Sequence, residues 1–172
     1  GDCGASYAFA ATGALEGASA LANDKQIILS EQNIIDCSVP YGNHGCSGGD
    51  TYTAMKYVID NGGIDTESSY SFQGKQLSCQ YSSKNSGASA TGVISITSGS
   101  ETDLLAAVAT VGPVAVAVDA NTNAFRVGLF ARIRLHCAAE KVKFPTSCKY
   151  YFIFCAGLVL PKWRVRLIKL LQ

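Results

Sequence analysis

The amino-acid sequence predicts an α+β fold, because helical patterns come first along the chain and strand-like patterns follow them. Residues 6–22 are almost all small or apolar and carry one charge, Glu16, which is typical of a buried helix. Residues 114–119 alternate valine with a small residue after Pro113, which is typical of a strand. The chain has 172 residues, 48% of them hydrophobic, and is therefore long enough and apolar enough to bury a core.

Two shorter helices are predicted after the first one. Ser30 is a good N-cap for a helix over residues 31–37. Residues 51–61 also have a helical pattern, and Gly62 with Gly63 is typical of a helix end. The apolar stripe of this helix is predicted to contain Tyr52, Met55, Val58 and Ile59. The loop between the two helices is rich in glycine, which indicates turns.

The second half of the α+β pattern begins near residue 92. Residues 65–92 are rich in serine and glycine and predict a surface segment, held in place by Cys79. A strand is predicted over residues 92–96. Ser100 and Asp103 resemble a capping box at the start of a further helix, which precedes the valine-rich strand.

The charge balance changes abruptly after Arg126. Residues 1–126 hold twelve acidic and five basic residues, a net charge of −7, whereas residues 127–172 hold one acidic and nine basic residues, a net charge of +8. Such a break in charge is a reason to question whether residues 1–126 and residues 127–172 belong to the same domain. We assign no element after Arg126. We interpret residues 127–172 as a tail that is foreign to the rest of the domain and arises from a retained intron or a frameshift.

The overall composition excludes several classes of function. The net charge of +1 gives no reason to expect a nucleic-acid partner, and no run of eighteen apolar residues indicates a membrane span. No cofactor and no metal site are predicted. The chain begins with Gly1, almost at the first motif, so we expect that it is a piece of a longer protein whose signal segment lies upstream.

The stretch Cys3-Gly4-Ala5-Ser6-Tyr7-Ala8-Phe9 is the main functional motif. It predicts a turn of small residues that delivers the Ser6 hydroxyl to the start of the first helix. A helix N-terminus has free N–H groups and a positive dipole end, which suits a reacting atom and a developing oxyanion. The alternative is that Ser6 merely caps a core helix, as serine often does.

This motif resembles the C-G-[SA]-C-[WY] signature of papain-type cysteine proteases, with Ser6 in place of the nucleophilic cysteine. The stretches LSEQNIIDC, YGNHGCSGG, SYSFQGKQLSCQY and VGPVAVAVDA resemble further family segments in the same order. The serine resembles that of the silicateins, relatives of cathepsin L that are associated with silica formation. The resemblance implies a papain-like two-lobe fold, with a nearly complete helical lobe over residues 1–88 and the start of a truncated β lobe over residues 89–126.

The resemblance also implies roles for individual residues. Ser6 would be the nucleophile, and Gly48 and Gly49 would lie along the backbone of a bound substrate. The family pattern pairs Cys3 with Cys46 and Cys37 with Cys79. From the sequence alone, four cysteines allow three pairings, and free buried thiols are an alternative. Disulfides would indicate a secreted, vesicular or extracellular setting.

Two catalytic partners of the family are missing from the recognisable sequence. A Ser nucleophile needs a base, and the family uses a histidine oriented by an asparagine. His136 lies 130 residues after Ser6 but lacks the preceding Asn or Asp, and no Asn occurs after Asn123. His44 is more typical of a loop residue. We therefore expect the chain to be impaired or inactive as an enzyme.

Three functions compete at this point. The first is a silica-condensing hydrolase acting on silicic acid or a silicon alkoxide, and the second is a cysteine-type peptidase acting on peptides, against which Ser6 argues. The third is a non-enzymatic subunit that self-assembles into filaments and templates silica. Residues 82–92 offer many hydroxyl groups for the third function, although such runs are commonly plain solvated loops.

Overall fold

The structure is a computed structural model and describes residues 2–98, 100–119, 149–154 and 166–171. In these residues three α-helices come first, and a fourth lies among the six short strands that follow. The predicted α+β class is therefore confirmed. The helices are α1 (Ser6–Asn23), α2 (Glu31–Cys37), α3 (Thr51–Asn61) and α4 (Glu101–Val111). The strands are β1 (Ile64–Asp65), β2 (Ser86–Ala88), β3 (Gly92–Ile96), β4 (Val114–Asp119), β5 (Lys149–Phe154) and β6 (Arg166–Leu171).

The central helix α1 is buried over most of its surface, as its composition predicts. It packs against α2, α3, β4 and β5. Its buried side chains are mostly small, so neighbouring elements approach closely: they are Tyr7, Ala8, Ala10, Ala11, Thr12, Ala14, Leu15 and Ser19. The helix ends at Asp24, which has a left-handed backbone with φ of 50°. The core therefore surrounds α1.

The caps predicted for three later helix ends are present. The Ser30 hydroxyl accepts a hydrogen bond from the backbone N–H of Asn33 at the start of α2. Gly62 ends α3 with φ of 76°, a conformation that glycine adopts without strain. The Ser100 hydroxyl accepts from the N–H of Asp103 at the start of α4. Local sequence signals thus determine where these helices begin and end.

The predicted apolar stripe of α3 is partly wrong. Met55 and Val58 are buried, but Tyr52 is 40% exposed. Tyr57 takes part in the buried face instead, at 3% exposure, and its hydroxyl accepts a hydrogen bond from Asn33 Nδ2. Tyrosine can be buried when its hydroxyl finds a partner, and a polar partner on α2 is not visible in the periodicity of α3.

The strands form two antiparallel sheets. A small sheet pairs β1 with β2, and a four-stranded sheet has the order β3-β6-β4-β5. Strands β3 and β4 follow each other in the sequence but are separated by β6, which pairs with both of them. Strands β5 and β6 lie in the stretch for which the sequence predicts no element. Residues 149–154 therefore form an antiparallel partner of β4, with Val116 opposite Phe152.

Gly17 of α1 joins the helical part to the larger sheet. A Cβ at Gly17 would overlap Cγ of Pro113, the residue before β4, and would lie 3.0 Å from its Cδ. The sequence predicts close packing at this glycine, and the structure has it. Among the described residues, no helix has both the length and the apolar character that crossing a bilayer requires.

Candidate functional site

Ser6 is the first residue of α1 and is partly buried. The N-cap position belongs to Ala5, so the alternative interpretation of Ser6 as the helix cap is wrong. The first turn of α1 contains no acidic residue. The hydroxyl therefore lies at the positive end of an eighteen-residue helix, beside N–H groups that have no intrahelical acceptor.

The turn before Ser6 is fastened to the glycine-rich loop between α2 and α3. Cys3 forms a disulfide with Cys46. The N–H of Gly4 donates to the main-chain oxygen of Cys46 at 2.7 Å, and a Cβ at Gly4 would lie 2.7 Å from that same oxygen. Only a glycine allows this close approach. The covalent bond and the hydrogen bond together fix the start of α1 against the loop.

The same loop carries Gly48 and Gly49, the residues predicted to bind substrate. The main-chain oxygen of Gly48 accepts from the N–H of His44 at 2.9 Å. Gly48 has φ of 107° and ψ of 176°, a region essentially restricted to glycine, and a Cβ there would meet nothing within 4 Å. One side of Gly48 is therefore open. The structure thus brings the loop of Gly48 and Gly49 to the turn that precedes Ser6.

Tyr7 forms a second link between the helix and the loop. Its side chain is fully buried, and its hydroxyl donates to the main-chain oxygen of Gly45 at 3.1 Å. Burial raises the pKa of Tyr7 to about 12, so the hydroxyl stays protonated and remains a donor at neutral pH. The ring also contacts Gly49, where a Cβ would lie 2.8 Å from Tyr7 Cε2. The sequence does not reveal this role, because Tyr7 resembles an ordinary core residue of α1.

Asn43 is a further residue whose role is not visible in the sequence. Its side chain is 1% exposed and lies inside the loop that carries the two glycines. Its Oδ1 accepts from the N–H of Asp50 at 2.8 Å, and its Nδ2 donates to Ser38 Oγ at 2.9 Å. A polar residue after Gly42 is typical of an exposed turn, so the only sequence signal was misleading.

The second predicted disulfide, Cys37 to Cys79, is also present. It holds the surface segment after β1 against the end of α2. Asp36 assists it by accepting from the N–H of Leu77 at 2.6 Å and from the Tyr70 hydroxyl at 2.7 Å. Both cysteine pairs of the sequence analysis are therefore disulfides, one at the candidate site and one away from it.

A group of carboxylates lies away from Ser6, where α1 meets α2. Glu31 accepts from Thr12 Oγ1 at 2.7 Å, and Glu16 accepts from the N–H of Leu29 at 2.8 Å. The pKa of Glu31 is raised to about 7, mainly by burial and in smaller part by the negative charges of Glu67 and Glu16. Burial, with Glu67, also raises the pKa of Glu16. We call Glu16, Glu31 and Glu67 the carboxylate cluster.

The described part of the chain does not supply a base for Ser6. Within residues 2–98, 100–119 and the two later strands, the Ser6 hydroxyl makes no hydrogen bond, and His44 is exposed in the loop. His136, which the sequence analysis disfavoured, lies outside the described residues. No group of three or more His, Cys, Asp or Glu among the described residues could hold a metal ion.

The arrangement can position a serine oxygen and stabilise negative charge near it. The helix end offers N–H donors, and the loop next to it has open space on the side where Gly48 lacks a Cβ. Proton removal from serine requires a base in addition, because a helix dipole cannot ionise a hydroxyl with an alcohol-like pKa. The described residues therefore provide a positioned hydroxyl with N–H donors beside it.

Comparison with known proteins gives a consistent picture. A family model described as papain family cysteine protease matches residues 1–146. Silicatein of Petrosia ficiformis is 52% identical over 141 residues, which cover 81% of this chain and 42% of that protein. Cathepsin R of Mus musculus is 48% identical over 126 residues, covering 73% of this chain and 37% of that protein. The family match extends past Arg126, and the boundary predicted at residue 127 stays a prediction.

Two solved structures are similar to the described fold. Digestive procathepsin L 3 of Tenebrio molitor superposes with a TM-score of 0.66 at 44% identity, over 68% of this chain and 38% of that chain. Digestive procathepsin L2 of the same insect gives 0.67 at 39% identity, over 72% of this chain and 39% of that chain. The chain thus spans about two fifths of the length of the relatives that it matches.

Proposed function

The chain belongs to the papain family of cysteine proteases, and from that premise we propose that it carries the nucleophile half of a silicatein-type hydrolase. Its papain-like, cathepsin L-like fold agrees with the fold predicted from the sequence. The observation that carries the proposal is Ser6 at the first position of α1, in the place where the family motif has its cysteine. The 52% identity to a silicatein supports the same assignment.

The proposed substrate is silicic acid or a silicon alkoxide. Ser6 Oγ would form a bond to silicon while its proton passes to a base and the alkoxide leaves as an alcohol after protonation. Silicon expands its coordination readily, so a serine oxygen is a sufficient nucleophile where peptide cleavage would call for a thiolate. The N–H groups at the start of α1 would stabilise the charge that develops on oxygen. Water would then attack silicon and break its bond to Ser6 Oγ, which regains a proton, and the released silanols would condense to silica with loss of water.

We propose that the chain alone has little of this activity. The described residues place no imidazole against Ser6, and the sequence has no asparagine after Asn123 to orient one. Loss of the base from a catalytic unit of this kind lowers the rate by a factor on the order of 10⁴ to 10⁶. The expected rate is therefore small, only a little above that of the uncatalysed reaction in water.

Two other functions have specific support. Peptide cleavage is favoured by the family and by the open space on the side where Gly48 lacks a Cβ, although Ser6 opposes it. Filament assembly with silica templating is favoured by a cluster of exposed hydroxyl groups. In this cluster Thr66 Oγ1 lies 3.1 Å from Ser68 Oγ and 2.9 Å from Ser69 Oγ. Neighbouring hydroxyl groups of this kind can form hydrogen bonds with silanol groups without covalent chemistry.

The two disulfides bear on the compartment. Disulfides persist in oxidising surroundings and are rare in the cytosol. Cys3–Cys46 and Cys37–Cys79 therefore support a secreted or vesicular protein, in agreement with deposition of silica outside the cytosol. No cofactor is part of the proposed reaction.

The test compares Ser6→Ala with the unchanged chain and with Ser83→Ala, which removes an exposed hydroxyl elsewhere. Two quantities are measured: the rate of silicon alkoxide hydrolysis and the mass of silica deposited from silicic acid. The proposal expects a small rate that Ser6→Ala alone abolishes. Deposition that is equal in all three proteins would instead establish the templating function. Cleavage of a peptide substrate by Ser6→Cys, but not by the unchanged chain, would reveal a latent peptidase.

A further inference from the structure

The two disulfides differ in how far their cysteines are exposed. Cys3 and Cys37 are buried, at 4% and 5% exposure, and Cys46 is half-buried. Cys79, in the surface segment after β1, is the exposed one of the four. Thiol–disulfide exchange begins when a thiolate attacks a sulfur that it can reach. A small thiol in solution therefore meets the Cys37–Cys79 disulfide first, and meets it from the Cys79 side.

Attack on Cys79 makes Cys37 the leaving group, so the surroundings of Cys37 determine how well it leaves. Burial raises the free energy of a thiolate there, and so does its place as the last residue of α2, at the negative end of the helix dipole. The Asn33 amide opposes both effects, because its Nδ2 donates to Cys37 Sγ at 3.2 Å. A hydrogen bond to the charged form of a group stabilises that form.

The direction of the Asn33 amide is fixed by its other partners. Its Oδ1 accepts from the N–H of Asp65 at 3.0 Å, and a main-chain N–H can only donate. Its Nδ2 also donates to the Tyr57 hydroxyl at 3.0 Å. The Asn33 side chain is fully buried, so the amide cannot turn out into solvent. Nδ2 therefore still faces the Cys37 sulfur when the disulfide opens.

Hydrogen bonds hold Cys79 near Cys37 in addition to the covalent bond. Asp36, the neighbour of Cys37, accepts from the N–H of Leu77 at 2.6 Å. Gln32, on the same helix, makes two further hydrogen bonds of 2.7 Å to the main chain of the surface segment. The two cysteines of an opened disulfide therefore stay close together, and Cys37 is placed to attack a mixed disulfide at Cys79.

We propose that the Cys37–Cys79 disulfide is a reversible thiol-exchange site, opened by a small thiol of the glutathione class, and that the other disulfide stays closed under the same conditions. The thiolate of the small molecule attacks Cys79 Sγ and forms a mixed disulfide, while the bond to Cys37 breaks and Cys37 leaves as a thiolate that takes up a proton. Cys37 is the resolving thiol, and its attack on Cys79 restores the disulfide and expels the small thiol. A second molecule of the thiol that attacks the mixed disulfide instead leaves both cysteines reduced and departs as its own disulfide. The inference does not depend on chemistry at Ser6.

The experiment treats the full chain with reduced glutathione in the absence of denaturant and stops the reaction at intervals with iodoacetamide. Mass spectrometry of proteolytic peptides gives, for each cysteine separately, the fraction that is alkylated and the fraction joined to glutathione. Cys37–Cys79 is expected to open at least about tenfold faster than Cys3–Cys46, because a buried disulfide is reached through a rarer opening of the fold. The glutathione adduct is expected on Cys79. A parallel sample, in which the three cysteines after residue 126 are replaced by serine, controls for exchange with those thiols.

Asn33→Asp tests the role of the amide. The aspartate keeps an oxygen that accepts from Asp65 and, at about pH 8, places a negative charge beside Cys37 Sγ in place of the donor. It is expected to slow the opening of Cys37–Cys79 about tenfold, the effect of one lost hydrogen bond to a charged group. Damage to the fold would accelerate the opening, so the sign of the change separates the two causes. The matched control, Asn61→Asp, adds the same charge at the end of α3 and is expected to leave the rate unchanged.

Two results in the unchanged chain would overturn the inference, whether or not the variant folds. One is the opening of both disulfides at equal rates, which indicates that the thiol gains access through unfolding. The other is a glutathione adduct on Cys37 rather than on Cys79. A third contrary result is an unchanged or faster opening of Cys37–Cys79 in folded Asn33→Asp, because the Asn33 amide would then not be the group that stabilises the leaving thiolate.

Discussion

Gly17 on the central helix and Pro113 at the start of β4 are in direct contact, and the contact has no room for a side-chain carbon at position 17. It joins the helical part of the chain to its larger sheet. The contact is between a backbone and a rigid ring, so neither partner can move aside by changing a rotamer. Packing at this point is therefore decided by the absence of a single methyl group.

Gly17→Ala is expected to destabilise the protein by about 1–3 kcal/mol through overpacking against Pro113. In an exposed helix the same change would stabilise by about 1 kcal/mol, so the sign of the effect identifies the contact. Urea unfolding measures the free energy. In a Pro113→Ala background the penalty is expected to shrink, and equal penalties in both backgrounds would show that the contact is not its cause.

Tyr7→Phe removes the hydroxyl that donates to Gly45 and leaves that main-chain oxygen without this donor. The expected loss is about 1 kcal/mol in the free energy of unfolding. Tyr52→Phe, on an exposed side chain, is the matched control and is expected to change the free energy little. If the two variants lost the same amount, the Tyr7 bond would contribute nothing beyond the general effect of removing a hydroxyl.

The carboxylate cluster predicts that stability falls as pH rises. The pKa of Glu31 is raised from its ordinary value of 4.5 to about 7 in the folded protein, so the folded state holds a proton that the unfolded state releases over this range. The free energy of unfolding therefore declines between pH 4.5 and 7. We expect a decline of about 2 kcal/mol, less than the full shift implies because Glu31 is partly exposed.

Glu31→Gln tests this dependence, because glutamine keeps an oxygen for Thr12 and carries no charge. The variant is expected to flatten the pH profile of urea unfolding and to be more stable than the parent at pH 7. Glu101→Gln, which removes an exposed carboxylate from α4, controls for the change in net charge. A profile as steep in Glu31→Gln as in the parent would assign the dependence to other groups.

Alanine substitutions at Gly48 and Gly49 are expected to act by different routes. Gly49→Ala places a methyl group on the Asn43 amide and is expected to cost about 2–3 kcal/mol. Gly48→Ala meets no atom, and its cost of about 1–2 kcal/mol comes from the backbone conformation alone. Hydrogen exchange at the Asp50 amide separates the routes: it should accelerate in Gly49→Ala more than in Gly48→Ala. Equal acceleration would contradict the steric account.

Much of the helical part follows from local signals. Ser30, Gly62 and Ser100 lie at the helix ends that their side chains or backbone predict, because capping involves neighbours in the sequence. Strands β3 and β4 follow from β-branched residues in short runs. The exposure of Tyr52 could not be predicted from local signals, because it depends on how α3 packs against other elements.

The candidate site also contains residues that could be predicted from the sequence and residues that could not. The family resemblance was needed to assign Ser6, Gly48 and Gly49 to one site. Nothing in their local sequence predicts that a helix start lies beside a distant glycine-rich loop. Tyr7 and Asn43, which hold that loop, could not be predicted because their hydrogen bonds are made to residues that only the fold places beside them. Buried polar side chains of this kind resemble core or turn residues in a sequence.

The position of β6 between β3 and β4 affects the order in which the protein can assemble during synthesis. Residues 2–90 contain α1 to α3 and both disulfides, so this part can form while the ribosome is still translating. The larger sheet forms later, because β3 and β4 share a partner that is made more than forty-five residues after β4 ends. Pairings at such a distance along the chain form slowly. The nascent protein therefore passes through a stage in which α1 to α3 have formed and β3 and β4 have not yet paired with β6.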